Sequence, residues 1–225
     1  MSATPGARAY RTLARSGAAE IEVSRSRFGC RLERVGDEAA ARAVVDAARH
    51  EHRDARHHCS AFLLGPPPQV LERSSDDGEP AGTAGAPMLE VLRGAGTAEE
   101  PLADVVAVVS RWFGGTLLGA GGLVRAYGDA VRAALEHTPT VRRALLREVE
   151  VRAGHGGAAR VETALRAHDV VVLDQHYGEE VTLVLGVPRG DLPEVLALVA
   201  EVSAGAARTR DVGERWADAA VGSGP

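Results

Sequence analysis

RWFGGTLLGAGGLVRAY, Arg111 to Tyr127, carries five glycines in nine residues: Gly114, Gly115, Gly119, Gly121 and Gly122. Upstream of it, Val105–Trp112 is a continuous apolar run of strand length. Downstream, Leu123, Val124, Tyr127, Ala130, Val131, Ala134 and Leu135 recur at helical spacing and predict a helix over Leu123–His137. Strand, glycine loop and helix in that order make an α/β unit. Such a loop can present helix N-terminal amides to an anion without any side chain, with Arg111 at the strand end and Arg125 in the first helical turn flanking it. The same glycines can instead serve to pack the loop against a sheet. A dinucleotide site is excluded, because Gly119 and Gly121 are followed by Val124 where G-x-G-x-x-G requires glycine.

Working back along the chain, RSSDDGEPAGTAGAPML (Arg73–Leu89) sets Asp76, Asp77 and Glu79 beside Gly78 and ahead of a run of small residues. An exposed acidic turn would use Gly78 and Pro80 in this way. The bulk-free GTAGAP that follows also suits a ligand-lining loop, with the acids accepting donors or holding a hydrated divalent ion. Nothing in the spacing assigns one of them as general acid or base. Further back, HEHRDARHHC (His50–Cys59) gathers four of the eight histidines. Side chains alternate along a strand, so His57 and Cys59 share a face and His58 takes the other, which favours a histidine-rich helix-to-strand turn over a metal site. No metal is therefore assigned.

The bulk numbers limit the function classes. With 225 residues and 45% hydrophobic content the chain can bury one large core or two smaller ones, built mainly from Val, Leu and Ala because aromatics are only 4%. The formal charge of −5 excludes a generally basic nucleic-acid-binding surface, yet Ala3–Arg34 holds seven arginines against three acids, the stretch best suited to phosphates. Every basic residue is arginine, so neither a Walker-type phosphate loop nor Schiff-base chemistry is open to it. Cys30 and Cys59 are too few for a disulfide framework or a thiolate metal site. No secretory-type apolar core and no apolar run of about 18 residues is present, so the expectation is a soluble, cytoplasmic protein with no membrane partner.

The coarse pattern predicts strands at Glu20–Arg25, Phe28–Val35, His57–Gly65, Gln69–Arg73 and Val105–Trp112, with helices from Asp37 to His50 and from Pro87 to Arg93. Beyond Thr138–Thr140 it predicts strand Leu146–Arg152, helix Gly157–His168, strands Val170–His176 and Val181–Val187, helix Asp191–Val202 and strand Ala206–Val212. That β-α-β-β-α-β order is the split pattern of ferredoxin-like domains. The expected layout is a flexible Arg/Ala/Gly-rich arm over 1–18, a first domain over 19–138, a ferredoxin-like domain over 139–215 and a flexible tail over 216–225.

HRDARHHCSA, SDDGEPAGTAGAPML and RWFGGTLLGAGGLVRAY, in that order over about Ser24 to Leu135, together resemble the YigZ/IMPACT family. The resemblance implies an α+β chain of two domains. The first is an α/β sandwich like domain IV of elongation factor G and a small-subunit ribosomal protein domain, and the second is similar to that factor's domain V. Asp76, Asp77, Glu79, Arg111, Gly114, Gly115, Gly119, Gly121, Gly122 and Arg125 match the family's signature and are the expected ligand-binding set, with His57, His58 and Cys59 as cleft neighbours. The implied function is a translation-linked regulatory module that binds RNA, the ribosome or a translation-associated protein. The alternative is an enzyme acting on a small anionic or phosphorylated ligand between the acid turn and the glycine loop. No cofactor and no catalytic residue is named by either reading.

Overall fold

A computed structural model describes residues 9–219, Ala167 and Asp169 excepted; the remainder of the expected arm and tail lies outside the described residues. The chain is mixed α+β and divides into two compact units, Met1–Val141 and Arg142–Pro225.

The first unit contains β1 (Ala9–Leu13), β2 (Gly17–Val23), β3 (Ser26–Arg34), β4 (His57–Leu64), β5 (Leu71–Ser75) and β6 (Val105–Trp112), with helices α1 (Glu38–Glu51), α2 (Gly85–Arg93) and α3 (Gly119–Glu136). Five of the strands form one sheet in the order β2-β3-β6-β4-β5, each neighbouring pair antiparallel. Alternation splits the central strands between two cores. Cys59, Ala61 and Leu63 of β4 and Val105, Ala107 and Val109 of β6 pack with Met88, Leu92, Leu123 and Tyr127 of α2 and α3. Phe62, Leu64, Val106 and Val108 pack under Ala41 and Ala48 of α1 on the other face. Because β6 is covered on both sides, its Val105–Val109 half is an unbroken apolar run rather than an alternating one.

Helix ends follow local chemistry where a side chain supplies it. Asp37 caps α1 by accepting the Ala40 amide at 2.7 Å. The glycine-rich end of α3 departs from expectation: the helix starts at Gly119, so GAGG is its first turn and not loop. Each helical glycine costs roughly 1 kcal/mol relative to alanine. Burial of Leu123, Ala126 and Tyr127 against the sheet offsets that cost, and no local pattern could register it.

The expected arm is corrected at residues 9–13. These form β1, with Ala9, Tyr10, Thr12 and Leu13 buried. The Tyr10 hydroxyl donates to the Asp104 carboxylate at 2.5 Å, the Thr12 hydroxyl donates to the Asp104 carbonyl, and backbone bonds tie Arg11 to Pro101 and Ala103. A five-residue strand, AYRTL, with an arginine at its centre is too short to show a periodicity, and its Asp104 partner lies about ninety residues away.

The second unit contains β7 (Thr140–Ala153), α4 (His155–Leu165), β8 (Val171–Tyr177), β9 (Val181–Val187), α5 (Leu192–Val202) and β10 (Arg208–Asp218). Its strands run in the order β10-β7-β9-β8, all antiparallel, with both helices on one face: the ferredoxin-like arrangement. Val149, Val151, Leu183, Leu185 and Val187 meet Val161, Leu165, Val195 and Val199 there. The expected last strand stopped at Val212 and the tail began at 216. β10 instead runs to Asp218, and Ala217 packs on Ala144 and Leu146. A register shift between Asp211 and Gly213 breaks the alternation at that point, which is why the pattern ended early.

Candidate functional site

The acid stretch folds as a tight turn. The Glu79 amide donates to the Asp76 carbonyl at 2.9 Å, and the two central residues, Asp77 and Gly78, take φ of 42° and 85°. Positive φ at both positions is the type I′ geometry that Asp-Gly supplies at low strain. The Asp76 carboxylate is then fully engaged: Oδ2 accepts the Gly82 amide at 2.7 Å, and Oδ1 accepts those of Ala84 and Gly85 at 3.0 and 2.8 Å. It thus anchors the start of α2, which has no cap of its own from Ala84. Burial alone would raise its pKa, but the three amides more than offset that and hold it below the ordinary carboxylate value. Asp76→Ala is expected to lower stability by about 1–2 kcal/mol, as loss of a helix N-terminal acceptor does, read by urea unfolding. A change within error would show that water replaces the carboxylate.

Asp77 is held as firmly. Its Oδ1 accepts from Arg49 and its Oδ2 from the His58 amide, both at 2.7 Å. Glu79 turns the other way, into the core beneath α3. Its Oε1 accepts from Arg111 Nη1 at 2.5 Å and from the Tyr127 hydroxyl at 2.8 Å, with His57 Nε2 3.9 Å away. The side chains of Glu79 and Arg111 are 4% and 8% exposed, so this is a buried ion pair. The Arg111 guanidinium also faces the rings of Phe28 and Phe113 at 5.4 and 5.7 Å, and its Nε is buried without a hydrogen-bond partner among the described residues. Cys59 completes the cluster, its thiol donating to the Asp76 carbonyl at 3.0 Å and lying within hydrogen-bonding reach of Tyr127. Burial pushes that thiol up to about 12, so it stays protonated and is no nucleophile at neutral pH.

The histidines separate as strand alternation requires. His57 Nδ1 lies 2.8 Å from the Asp77 carbonyl, whereas His58 Nδ1 is buried on the α1 face, 2.9 Å from the Ser110 hydroxyl. Among the described residues no three His, Cys, Asp or Glu side chains are arranged to hold a metal ion. Burial lowers the pKa of His58; Asp77 opposes this, and Arg49, His52 and His57 add to it. The folded state therefore binds the His58 proton less readily than the unfolded chain does. Stability is held above the ordinary histidine value of 6.5 and lost as pH falls from there through the lowered folded value. The melting temperature is expected to drop between about pH 7.5 and 5.5, and the drop to shrink in His58→Gln. An equal drop in that variant would assign it to other groups.

The glycine loop and the acid turn do not line one cleft with all the expected residues. Arg125 is exposed and lines a groove between α2 and α3 with Val91 and Gly128, whereas Tyr127, two residues on, points at Glu79. Helical residues two apart face opposite ways, so Arg125 and Glu79 cannot converge. Gly114 packs directly on the β2–β3 turn, where a Cβ would come within 1.9 Å of the Arg25 carbonyl oxygen. Gly115 and Gly119 have positive φ, Gly121 faces open space, and Gly122 sits against Leu118.

What gathers at this end of the sheet is different: Arg25 and Arg27 come from the arginine-rich Ala3–Arg34 stretch, but Arg53, Arg56 and the aromatic pair beside them were not singled out from sequence. The Arg56 amide bonds to the Arg111 carbonyl, Trp112 Nε1 donates to Asp54 at 2.9 Å, and Arg25 donates to the Thr116 hydroxyl at 2.7 Å. Arg25, Arg53 and Arg56 are exposed and have no carboxylate partner among the described residues. Between them Trp112 carries Arg27 over its ring at 4.6 Å, and Phe113 is 44% exposed. On the second unit's sheet Arg147, Arg152, Arg208, Arg210 and Arg215 pair with acids, whereas among the described residues Arg160 on α4 does not. Tyr127 was read only as apolar face, although a buried tyrosine hydroxyl demands a partner and so signals one.

Comparison with known proteins agrees with both units. Residues 24–135 match the Impact N-terminal domain, and residues 151–206 match a domain of unknown function (DUF1949). The chain is 41% identical to IMPACT family member YvyE of Bacillus subtilis, over 76% of each chain. It is 40% identical to IMPACT family member YigZ of Escherichia coli, over 82% of this chain and 88% of that one. A crystal structure of a hypothetical protein superposes with a TM-score of 0.61 at 36% identity, covering 92% of this chain and 99% of that one. No described helix is long and apolar enough to cross a membrane. With relatives this similar over most of its length, and with the buried Glu79–Arg111 pair and the glycine loop lying inside the matched region, the chain belongs to the IMPACT family.

Proposed function

We propose that this protein is a translation-linked binding module that engages RNA, free or on the ribosome, through the end of the first sheet where β6 gives way to the glycine loop. The observation that carries this is the gathering of three arginines without carboxylate partners among the described residues, Arg25, Arg53 and Arg56, around Trp112 and the exposed Phe113. Cations free to meet phosphates, interleaved with aromatic rings, are what a nucleic-acid surface needs on a chain whose net charge is negative. The uncapped first turn of α3 adds exposed amides next to them. Glu79, Arg111 and Tyr127 act in this reading as the internal brace that fixes the loop's base.

The enzyme reading is less well supported. Asp76 is taken up by three backbone amides, Asp77 by Arg49 and His58, and Glu79 by Arg111 and Tyr127, so none of the three is free to position a metal or a water. The discriminating experiment is titration of a short unstructured RNA at several salt concentrations. Phosphate contacts require affinity to fall steeply with salt, by a slope of about 0.7 per contact for single strands. Absence of binding at low salt, together with no co-sedimentation with ribosomes, would end the RNA reading.

A further inference from the structure

Beside the unpaired arginines, the α1 side of the sheet is only half covered. Helix α1 lies over Val106, Val108, Phe62 and Leu64, and among the described residues it reaches β3 on that face through the Arg31–Glu51 pair, leaving most of β2 and β3 uncovered there. The bare part is a groove of about 790 Å³ that runs from Trp112 and Gly29 past Ala18 to the Arg31–Glu33 pair. Its floor is low because glycine and alanine occupy it, and the Trp112 ring lies against Gly29, where a Cβ would stand 3.3 Å from the indole. That volume is in the range of sites for nucleoside-sized ligands.

Most of the charges in and beside the groove are spent on one another; the exception among the described residues is Arg15 at its edge, which is exposed and reaches only the His137 carbonyl at 3.5 Å. Arg31 bonds Glu33 at 2.9 Å and Glu51 at 3.1 Å, and Arg27 pairs with Glu20 at 3.5 Å. A phosphate drawn inside would meet Glu20, Glu33 and Glu51, whose arginines are already occupied, against the single unpaired cation among the described residues there, Arg15. An uncharged ring bearing amino and carbonyl groups would instead find hydrogen-bonding partners and an indole wall. We propose that the groove receives an unpaired base of single-stranded RNA, while the flanking phosphates lie outside on Arg25, Arg53 and Arg56. This deepens the RNA reading above and rests on it. A duplex cannot present a base in this way, because its bases are stacked and paired.

Three RNAs of about 12 nucleotides separate the possibilities by fluorescence anisotropy at about 50 mM salt: an unstructured strand, its duplex, and an abasic strand of the same length. The unstructured strand is expected to bind about tenfold or more tighter than either of the others, the magnitude of one base held against an aromatic wall. Ala18 is exposed, so Ala18→Phe fills the groove without disturbing the core. It should bring the unstructured strand down to the abasic affinity with the salt slope and the urea midpoint unchanged. Equal affinity for strand, duplex and abasic RNA, or no effect of Ala18→Phe, would overturn the base groove and leave the RNA reading standing. Failure to bind any of the three overturns both.

Discussion

Glu79→Ala lowers the stability of the first unit by about 3–5 kcal/mol, because it leaves the Arg111 charge buried and unmatched. The pair sits at 4% and 8% exposure, too little water for solvent to take the carboxylate's place. Arg111→Met has a comparable cost, since it strands the carboxylate with only the Tyr127 hydroxyl at 2.8 Å and the distant His57. The double variant Glu79→Leu with Arg111→Met recovers most of the loss, as apolar replacements of buried ion pairs do when they fill the same space. The measurement is a double-mutant cycle by urea unfolding, with one precaution. The chain has two tryptophans, Trp112 in the first unit and Trp216 in the second, so Trp216→Phe as the background lets fluorescence report the first unit alone. Additive losses below about 1 kcal/mol each would mean that the pair is hydrated and does not brace the loop.

Replacing Arg25, Arg53 and Arg56 together by alanine removes most of the RNA affinity without touching the fold. All three are exposed and none holds a carboxylate among the described residues, so no buried group is orphaned by their removal. If each meets one phosphate, the slope of log affinity against log salt falls by about 2 for a single strand. At about 50 mM salt that difference amounts to between about two and three orders of magnitude, shrinking toward nothing near 1 M. Arg208 and Arg210, already paired with Glu180 and Glu150, provide the control: their alanine variants should change the slope far less. A triple variant that binds as the parent does would place the RNA surface elsewhere.

Asp77 and Arg125 illustrate the limit of reading a site from motif spacing. By the resemblance both match the family's signature, and opposite charges near a glycine loop invite pairing. Asp77 instead closes on Arg49 of α1 and the His58 amide, while Arg125 stands in the α2–α3 groove. Variants at these two positions are therefore expected to act independently. A signature gives order along the chain, whereas convergence depends on which side of α3 each residue leaves.

Much was legible without coordinates. Val105–Trp112 coincides with β6, Asp37 caps α1, and the β-α-β-β-α-β order of the second unit stood in the alternation and turn residues. These are properties of neighbouring residues: a two-residue or 3.6-residue period, a side chain that reaches an amide three positions on, a glycine that permits a positive φ. Other features hang on partners distant in sequence. β1 is held by Asp104, the α3 start by its packing on the sheet, the Glu79–Arg111–Tyr127 cluster by three segments spread over 48 residues, and the Arg25–Arg53–Arg56 surface by turns that meet only at the end of β6. Local pattern determined the elements and their order, because backbone geometry repeats over a few residues. Which charges are buried, which are paired and which remain free to meet a ligand was settled by tertiary packing alone, because burial and Coulomb partners depend on distance through space and not along the chain.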